Sequence, residues 1–472
     1  MKHQRTVAVF GAGASGCTFA RLLVGAGCSV VLVDAGPQLT VKPGAHLLNE
    51  QAGGSMEDFS ATVERQIIPL PDPRPSLANW RNDLPGLRYT LAVGGMLTHW
   101  TAVCPRPVFE SECISPEEWD RILTRSEELL AVTTTLFDQG SSDDVSHELS
   151  GLWGDAIASR SAPRAGRRMS PTRVEWSSGH SLLAPALEAD GEAELRIIAG
   201  HYLHRLVHES GKVQRAIIRE TETGVESEIH ADCYVVAGGV IFTPAVLWKS
   251  DIRPSSLGRY VVDQPSATCQ VESKPGLLDE RFTASMSGMN EKCPDLVVDS
   301  VESSGWYGQI GVQNIWDFGY CSPSDPRSVV LDLVWYTWNG PHADNRLVFS
   351  ERGPLGPFGS PMPSVEFQSW NNPGERQMMN ALVKSAMRLG AFQDEAGPQF
   401  RAAGSSHHLT GTTRIGLDEA DSVADPWSRV WGFENLYVGG NGVIPNADPM
   451  NPTLTTVALA IRSAEAIAAG TE

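Results

Sequence analysis

The hydrophobic pattern changes period twice within the first 34 residues. From Thr6 the chain reads TVAVFGAGASGCTFARLLVGAGCSVVLVDAG. A β-branched run ends in glycines, a helical stretch follows, and a second β-branched run stops at Asp34. Short apolar runs bounded by glycine predict buried strands, so the order is strand, turn, helix, strand. From Leu195 to Arg219 apolar and polar residues alternate, as they do in half-buried strands. ADCYVVAGGVIFTPAVLWKS, from Ala231, repeats the sequence of strand, glycine turn and helix. The stretch from Val261 to Gly404 carries many of the tryptophans and phenylalanines, Pro/Gly turns and strand-like runs such as SVVLDLVWYTW from Ser328. That texture predicts an antiparallel sheet in a separate domain, with most aromatics packed in its core. The segment from Gln139 to Arg168 is rich in Ser, Asp and Arg, has little periodicity, and is expected to be a surface excursion.

These elements define an α/β fold. A discontinuous Rossmann-like domain is expected from 1–130, 190–260 and 405–472, a surface excursion from 131–189, and a second domain with a large antiparallel sheet from 261–404. With 472 residues, of which 41% are hydrophobic and 20% charged, the chain can bury the large cores that two or three domains need. Its formal net charge of −19 would repel nucleic acid and anionic lipid, which excludes both as natural partners and leaves small molecules. The eight cysteines are scattered, with no pair or His/Cys cluster at metal-ligand spacing, so reduced thiols and no metal are expected. The first residues lead straight into a five-residue apolar strand without a signal-peptide pattern, and no apolar run approaches the roughly 20 residues of a membrane span. A cytoplasmic location is the expectation.

Gly11, Gly13 and Gly16 form G-x-G-x-x-G at the first turn. The first glycine permits a tight turn, the second lets backbone approach a pyrophosphate, and the third lets the helix pack closely on the sheet. The helix N-terminus then faces the phosphates with its unpaired N–H groups. Asp34, about 20 residues on, suits a ribose hydroxyl. The motif alone leaves FAD and NAD open; its place at the start of a long chain favours FAD.

The most specific segments lie further on. SSHHLTGTTRIG from Ser405, and VWGFENLYVGGNGVIPNADPMNPTLTTVALAIRSAEAIA from Val430, resemble the C-terminal signature of the glucose-methanol-choline (GMC) oxidoreductases. His408-Leu409-Thr410-Gly411-Thr412 fits H-x-x-G-T, and Asn451-Pro452-Thr453-Leu454-Thr455 is similar to the N-P-T-L-T of the pyranose oxidase branch. VGGMLTHWTAVCPRP from Val93 resembles the flavin-contact segment of the same branch, and GQIGVQNIWDFGY from Gly308 its substrate loop. DNRLVFS from Asp344, with PMPSVEF after it, is similar to the family's substrate domain.

The resemblance implies FAD, held by Gly11, Gly13, Gly16, Asp34, Gly95, Ala237, Gly440, Asn441 and Thr453. It places His99 where the family can bond a histidine to the flavin 8α-methyl and Thr101 near N5, although His99 as plain packing beside the cofactor stays open. Gln309, Trp316, Phe318 and Tyr320 would face a sugar, although plain hydrophobic packing of the three aromatics stays open. His408 is the expected base for a secondary hydroxyl and Asn451 the donor to its oxygen, while hydride passes to flavin N5. His407, one position off the motif, is expected to pack or to support the site from behind its first contacts, and Arg164, Arg167 and Arg168 to form a solvated face. The implied reaction is oxidation at C2 or C3 of a glucopyranose unit, with C3 of a glycoside favoured and O2 as acceptor. A dehydrogenase with a quinone or protein acceptor, a redox-silent lyase and a non-catalytic flavoprotein are the alternatives. The chain is shorter than fungal members and lacks their oligomerisation segments, so a monomer or dimer is expected.

Overall fold

In the computed structural model the described residues are 4–50, 63, 65, 67–69, 81–108, 111–136, 140–153, 158–170, 173–278, 296–299, 305–312, 323–325, 327–353, 356–358, 361–368, 373–393 and 396–470. Five parallel strands form the nucleotide-binding sheet: β1 (Thr6–Phe10), β2 (Ser29–Val33), β3 (Leu195–Ile198), β4 (Cys233–Val236) and β5 (Leu436–Val438). Their order is β5-β4-β1-β2-β3, with Val7 beside Cys233 on one flank and Val30 on the other. Because β1 connects onward to β2 on one side while β4 and β5 lie on the other, a crevice opens at the carboxyl end of β1.

Three helices matter here: α1 (Ala14–Gly25), α2 (Gly239–Lys249) and α3 (Thr453–Ala469). α1 follows the first glycine turn, and it packs against α3 and a helix at Gly179–Leu187. Ser15 to Ala20, Leu23 and Val24 of α1 are buried there. α3 is buried along nearly its whole length, which explains why its sequence is apolar and small-residue-rich rather than amphipathic.

The second domain is built on an antiparallel seven-stranded sheet, ordered Gly390–Phe392, Ser266–Ser273, Val330–Thr337, Trp306–Val312, Leu296–Asp299 and Ala158–Ser161, with Gln399–Phe400 pairing to Ser266–Ser273. Val330–Thr337 is buried on both faces. Leu331, Leu333 and Trp335 pack with Met378 and Leu382 of a helix at Pro373–Leu389. Asp332, Val334 and Tyr336, on the opposite face, line a cavity between this sheet and the nucleotide-binding domain. The expected antiparallel sheet and its aromatic core are both present, with Trp306 and Trp335 inside it.

The described residues of 131–189 do not form a surface excursion. Ala158–Ser161 is an edge strand of the large sheet, and Val132–Thr133, Arg164–Ser170 and Arg173–Trp176 pair with one another. The helix at Gly140–Trp153 packs on the helix at Pro373–Leu389, burying Val145 and Leu149. Two apolar residues four apart suffice to anchor one helical face, so a polar composition hides such a contact. In the helix that follows, Leu182 and Leu183 are wholly buried.

Candidate active site

The cavity has a volume of about 1170 Å³, above the roughly 300–1,000 Å³ of an ordinary small-molecule site. Its lining includes Gly11, Gly13, Asp34, Gly95, His99, Thr101, Ala237, Gln309, His408, Gly440, Asn441, Asn451 and Thr453. Gly16 lies beneath the turn instead: a Cβ there would stand 1.8 Å from the Gly11 carbonyl oxygen. Gly11 has φ +106°, and its own Cβ would meet the Ala237 oxygen at 2.3 Å. Gly13 differs from both, since a Cβ on it would meet no protein atom within 4 Å. The space it leaves belongs to the cavity.

Gly13 is also the N-cap of α1 and supplies no side-chain cap, so the first-turn N–H groups are left for a ligand. Ser15 Oγ, buried at the same turn, has no hydrogen-bond partner among the described residues. The Asp34 carboxylate accepts N–H bonds from Ala12 (2.6 Å) and Gly36 (2.8 Å). Burial pushes its pKa up to about 6 against those two bonds. Asp34 therefore braces the turn as well as lining the cavity.

The turn Gly94-Gly95 brings His99 and Thr101 to the same space. Gly95 packs on Gly13, whose Cα would be 3.1 Å from a Cβ at that position. His99 is buried, and its Nδ1 lies 2.9 Å from Thr98 Oγ1. The Thr98 hydroxyl donates to the Gly95 carbonyl at 2.8 Å, so at His99 it can only accept. Nδ1 thus carries the proton and Nε2 does not. Nε2 is buried without a hydrogen-bond partner among the described residues, and burial pushes the His99 pKa down to about 4. Arg164 corrects an expectation: it is buried, lines the cavity, and donates from Nη1 to the Thr101 carbonyl at 2.7 Å. Arg167 and Arg168, on the same strand, are exposed as expected.

His408 and Asn451 come together from segments 43 positions apart. Asn451 Nδ2 is 3.2 Å from His408 Nε2, and Asn451 Oδ1 accepts from Gln309 Nε2 at 2.6 Å. Gln309 thereby turns the Asn451 amide so that its N–H₂ faces His408. On the other side of the ring, His408 Nδ1 lies 2.6 Å from Gln264 Oε1. The Tyr336 ring centroid is 5.5 Å from that of His408. Burial first, then His407 and Arg401, push the His408 pKa down to about 3, so the ring is neutral near pH 7. His407 has φ +59° and also lines the cavity. Among the described residues no hydrogen bond joins its ring to Asn451 or Gln264.

Gly440 and Asn441 follow β5, and the Asn441 side chain accepts from Thr456 at 2.5 Å. α3 begins at Thr453 with Pro452 as N-cap and no side-chain cap, so a second uncapped helix start opens on the cavity. Trp316, Phe318 and Tyr320 lie outside the described residues. Gln264, Arg164 and Asp332 were not singled out from sequence as site residues. Only Asp332 left a sign there, as one acid within an apolar strand.

The described residues fit FAD. A turn with room at Gly13, two uncapped helix starts, the unpartnered Ser15 hydroxyl and the unpartnered His99 Nε2 all border one space large enough for a dinucleotide and a second ligand. No group of three His, Cys, Asp or Glu residues that could hold a metal occurs among the described residues, and no described helix is long and apolar enough to cross a membrane. The six described cysteines are free.

Comparison with known proteins agrees with this chemistry. Residues 4–240 match the family described as FAD binding domain, and residues 341–460 match GMC oxidoreductase. The chain is 30% identical to the pyranose 2-oxidase of Tricholoma matsutake, over 98% of this chain and 94% of the relative. It is 28% identical to the C-glycoside 3-oxidase of Microbacterium trichothecenolyticum, over 98% and 96%. The fold is shared with formate oxidase of Aspergillus oryzae RIB40, with a TM-score of 0.68 and 14% identity over 99% of this chain and 98% of that one. The chain belongs to the GMC oxidoreductases, in the branch of the pyranose 2-oxidases and C-glycoside 3-oxidases, and is an FAD-dependent oxidoreductase acting on CH–OH donors.

Proposed function

We propose that the protein oxidises a secondary hydroxyl of a glucopyranose unit to the ketone, at C3 or C2, with C3 of a glycoside favoured and O2 as acceptor giving H2O2. The observation that carries this reading is the pairing of a neutral imidazole with an oriented amide at the wall of a cofactor-sized cavity. FAD, when bound, supplies the acceptor for the carbon-bound hydrogen and its electron pair.

The rest is work for side chains. His408 Nε2, unprotonated, takes the hydroxyl proton. Asn451 Nδ2 donates to the same oxygen as charge grows on it, and Gln309 holds that amide in place. The unprotonated Nε2 of His99 suits a covalent bond to the flavin, since that bond needs a free lone pair. Thr101 and Arg164 lie on the same wall. The preference for a glycoside draws on relatives named as C-glycoside 3-oxidases that match this chain over nearly their whole length.

Free sugars and glycosides, tested one at a time under nitrogen, should bleach the flavin if the reading is right. Product NMR then reports the carbon oxidised, and peroxide on admitting air reports the acceptor. A flavin that no sugar or glycoside reduces would overturn the reading.

A further inference from the structure

We propose that Gln264 is a positioning residue of this site, holding His408 in the tautomer whose unprotonated Nε2 faces the substrate. The inference rests on His408 as the base. Gln264 is buried, at 3% exposure, just before the strand Ser266–Ser273. Its Nε2 donates to two backbone carbonyls, of Asp448 at 2.5 Å and Met450 at 2.7 Å. Both are acceptors only, so the amide cannot be turned over without losing both bonds. The atom 2.6 Å from His408 Nδ1 is therefore the amide oxygen, which accepts. It follows that Nδ1 carries the proton and that, in a neutral ring, Nε2 does not.

The same side chain sets a distance as well as a tautomer. Asp448 and Met450 belong to the turn that ends in Asn451, so one amide ties the carrier of Asn451 to the ring of His408. The residues before Gln264 reinforce the tie. Val262 exchanges backbone hydrogen bonds with Thr410, and the Asp263 carboxylate accepts from Gly404 N–H (2.8 Å) and Ser406 Oγ (2.9 Å). The 262–264 segment is thus fastened to the histidine loop on both sides of His408.

The test uses holoenzyme labelled with ¹⁵N-histidine, with the His408 ring assigned by difference from His408→Ala. The wild-type spectrum should show a protonated Nδ1 and a bare Nε2 at neutral pH. Gln264→Met, close in volume but offering only a weakly accepting thioether in place of the amide oxygen, should show mixed tautomers. Its flavin reduction at saturating sugar should fall by about 10²-fold, in the range for an impaired general base, while the sugar concentration at half-saturation moves less than tenfold. A wild-type ring protonated at Nε2 would overturn the proposal, whether or not Gln264→Met folds. So would wild-type reduction kinetics in that variant. If the wild-type ring has the expected tautomer and no sugar reduces the flavin, the failure belongs to the sugar-oxidation reading instead.

Discussion

Gly13 and Gly16 sit three positions apart in one motif, yet alanine at the two sites should fail for opposite reasons. At Gly16 a Cβ would stand 1.8 Å from the Gly11 carbonyl oxygen, where an ordinary contact begins at 3.4 Å. Even the tightest real contacts, near 3.0 Å, would require the turn to open by about 1.2 Å, and the obstructing atom is backbone that cannot swing aside. Overpacking of this kind costs about 1–3 kcal/mol, and it acts on the folded chain with or without cofactor. At Gly13 the backbone, at φ −75° and ψ −167°, is open to any L residue, and no protein atom lies within 4 Å of the added methyl. Gly13→Ala restricts the unfolded chain, a gain of about 0.4–1 kcal/mol, offset by the poorer N-cap that alanine makes. Its apoprotein should melt with the parent. FAD affinity should nevertheless fall roughly 10- to 100-fold, the equivalent of one charge-assisted hydrogen bond, because the methyl fills the space through which backbone N–H groups reach the pyrophosphate. Both variants are made in a His99→Ala background so that FAD can be removed, and are compared by apoprotein melting and by fluorescence titration with FAD. Parental FAD affinity in Gly13→Ala, or a parental apoprotein Tm in Gly16→Ala, would refute this division of labour.

Other outcomes follow from the same geometry. His408→Ala should keep FAD and lose flavin reduction by roughly 10²–10⁴-fold, and Asn451→Ala by roughly 10²–10³-fold, in anaerobic stopped flow. His407→Ala should stay near wild type; the reverse ranking of the two histidines would move the base to His407. Because burial pushes the His408 pKa down to about 3, the base form persists and wild-type reduction should be flat between about pH 5 and 8, whereas an acid limb near the ordinary histidine value of ~6.5 would contradict it. Acid precipitation should leave flavin on the wild-type protein and free it in His99→Ala; flavin wholly in the wild-type supernatant would show that His99 is only a neighbour. Asp332 lines the cavity one strand step from Val334, which pairs with Gln309, so Asp332→Asn should raise KM for sugar about 10-fold, with reduction at saturation within a few-fold. An unchanged KM would remove Asp332 from the substrate's reach.

How much of this could be read in advance depends on whether a constraint is local. The glycine turn was readable because its atoms obstruct or face one another within a few residues, and Asp34 because it ends the next strand. His408 and Asn451 were readable only as a matched pair of motifs, since neither residue alone announces its partner. Gln264 was not readable: its bonds to His408 and Met450 span 144 and 186 positions, and no spacing rule reaches that far. Arg164 was misjudged because it shares a stretch with two exposed arginines, and only the fold puts its guanidinium beside the Thr101 carbonyl. The strand Val330–Thr337 shows where composition does carry tertiary information. Its apolar residues say that both faces are covered without saying by what, and Leu331, Leu333 and Trp335 duly meet a helix. A carboxylate pointing into that same packing would cost several kcal/mol. Asp332, the single acid of the strand, lies accordingly on the other face, whose wall carries Gln309 beside Asn451 and His408.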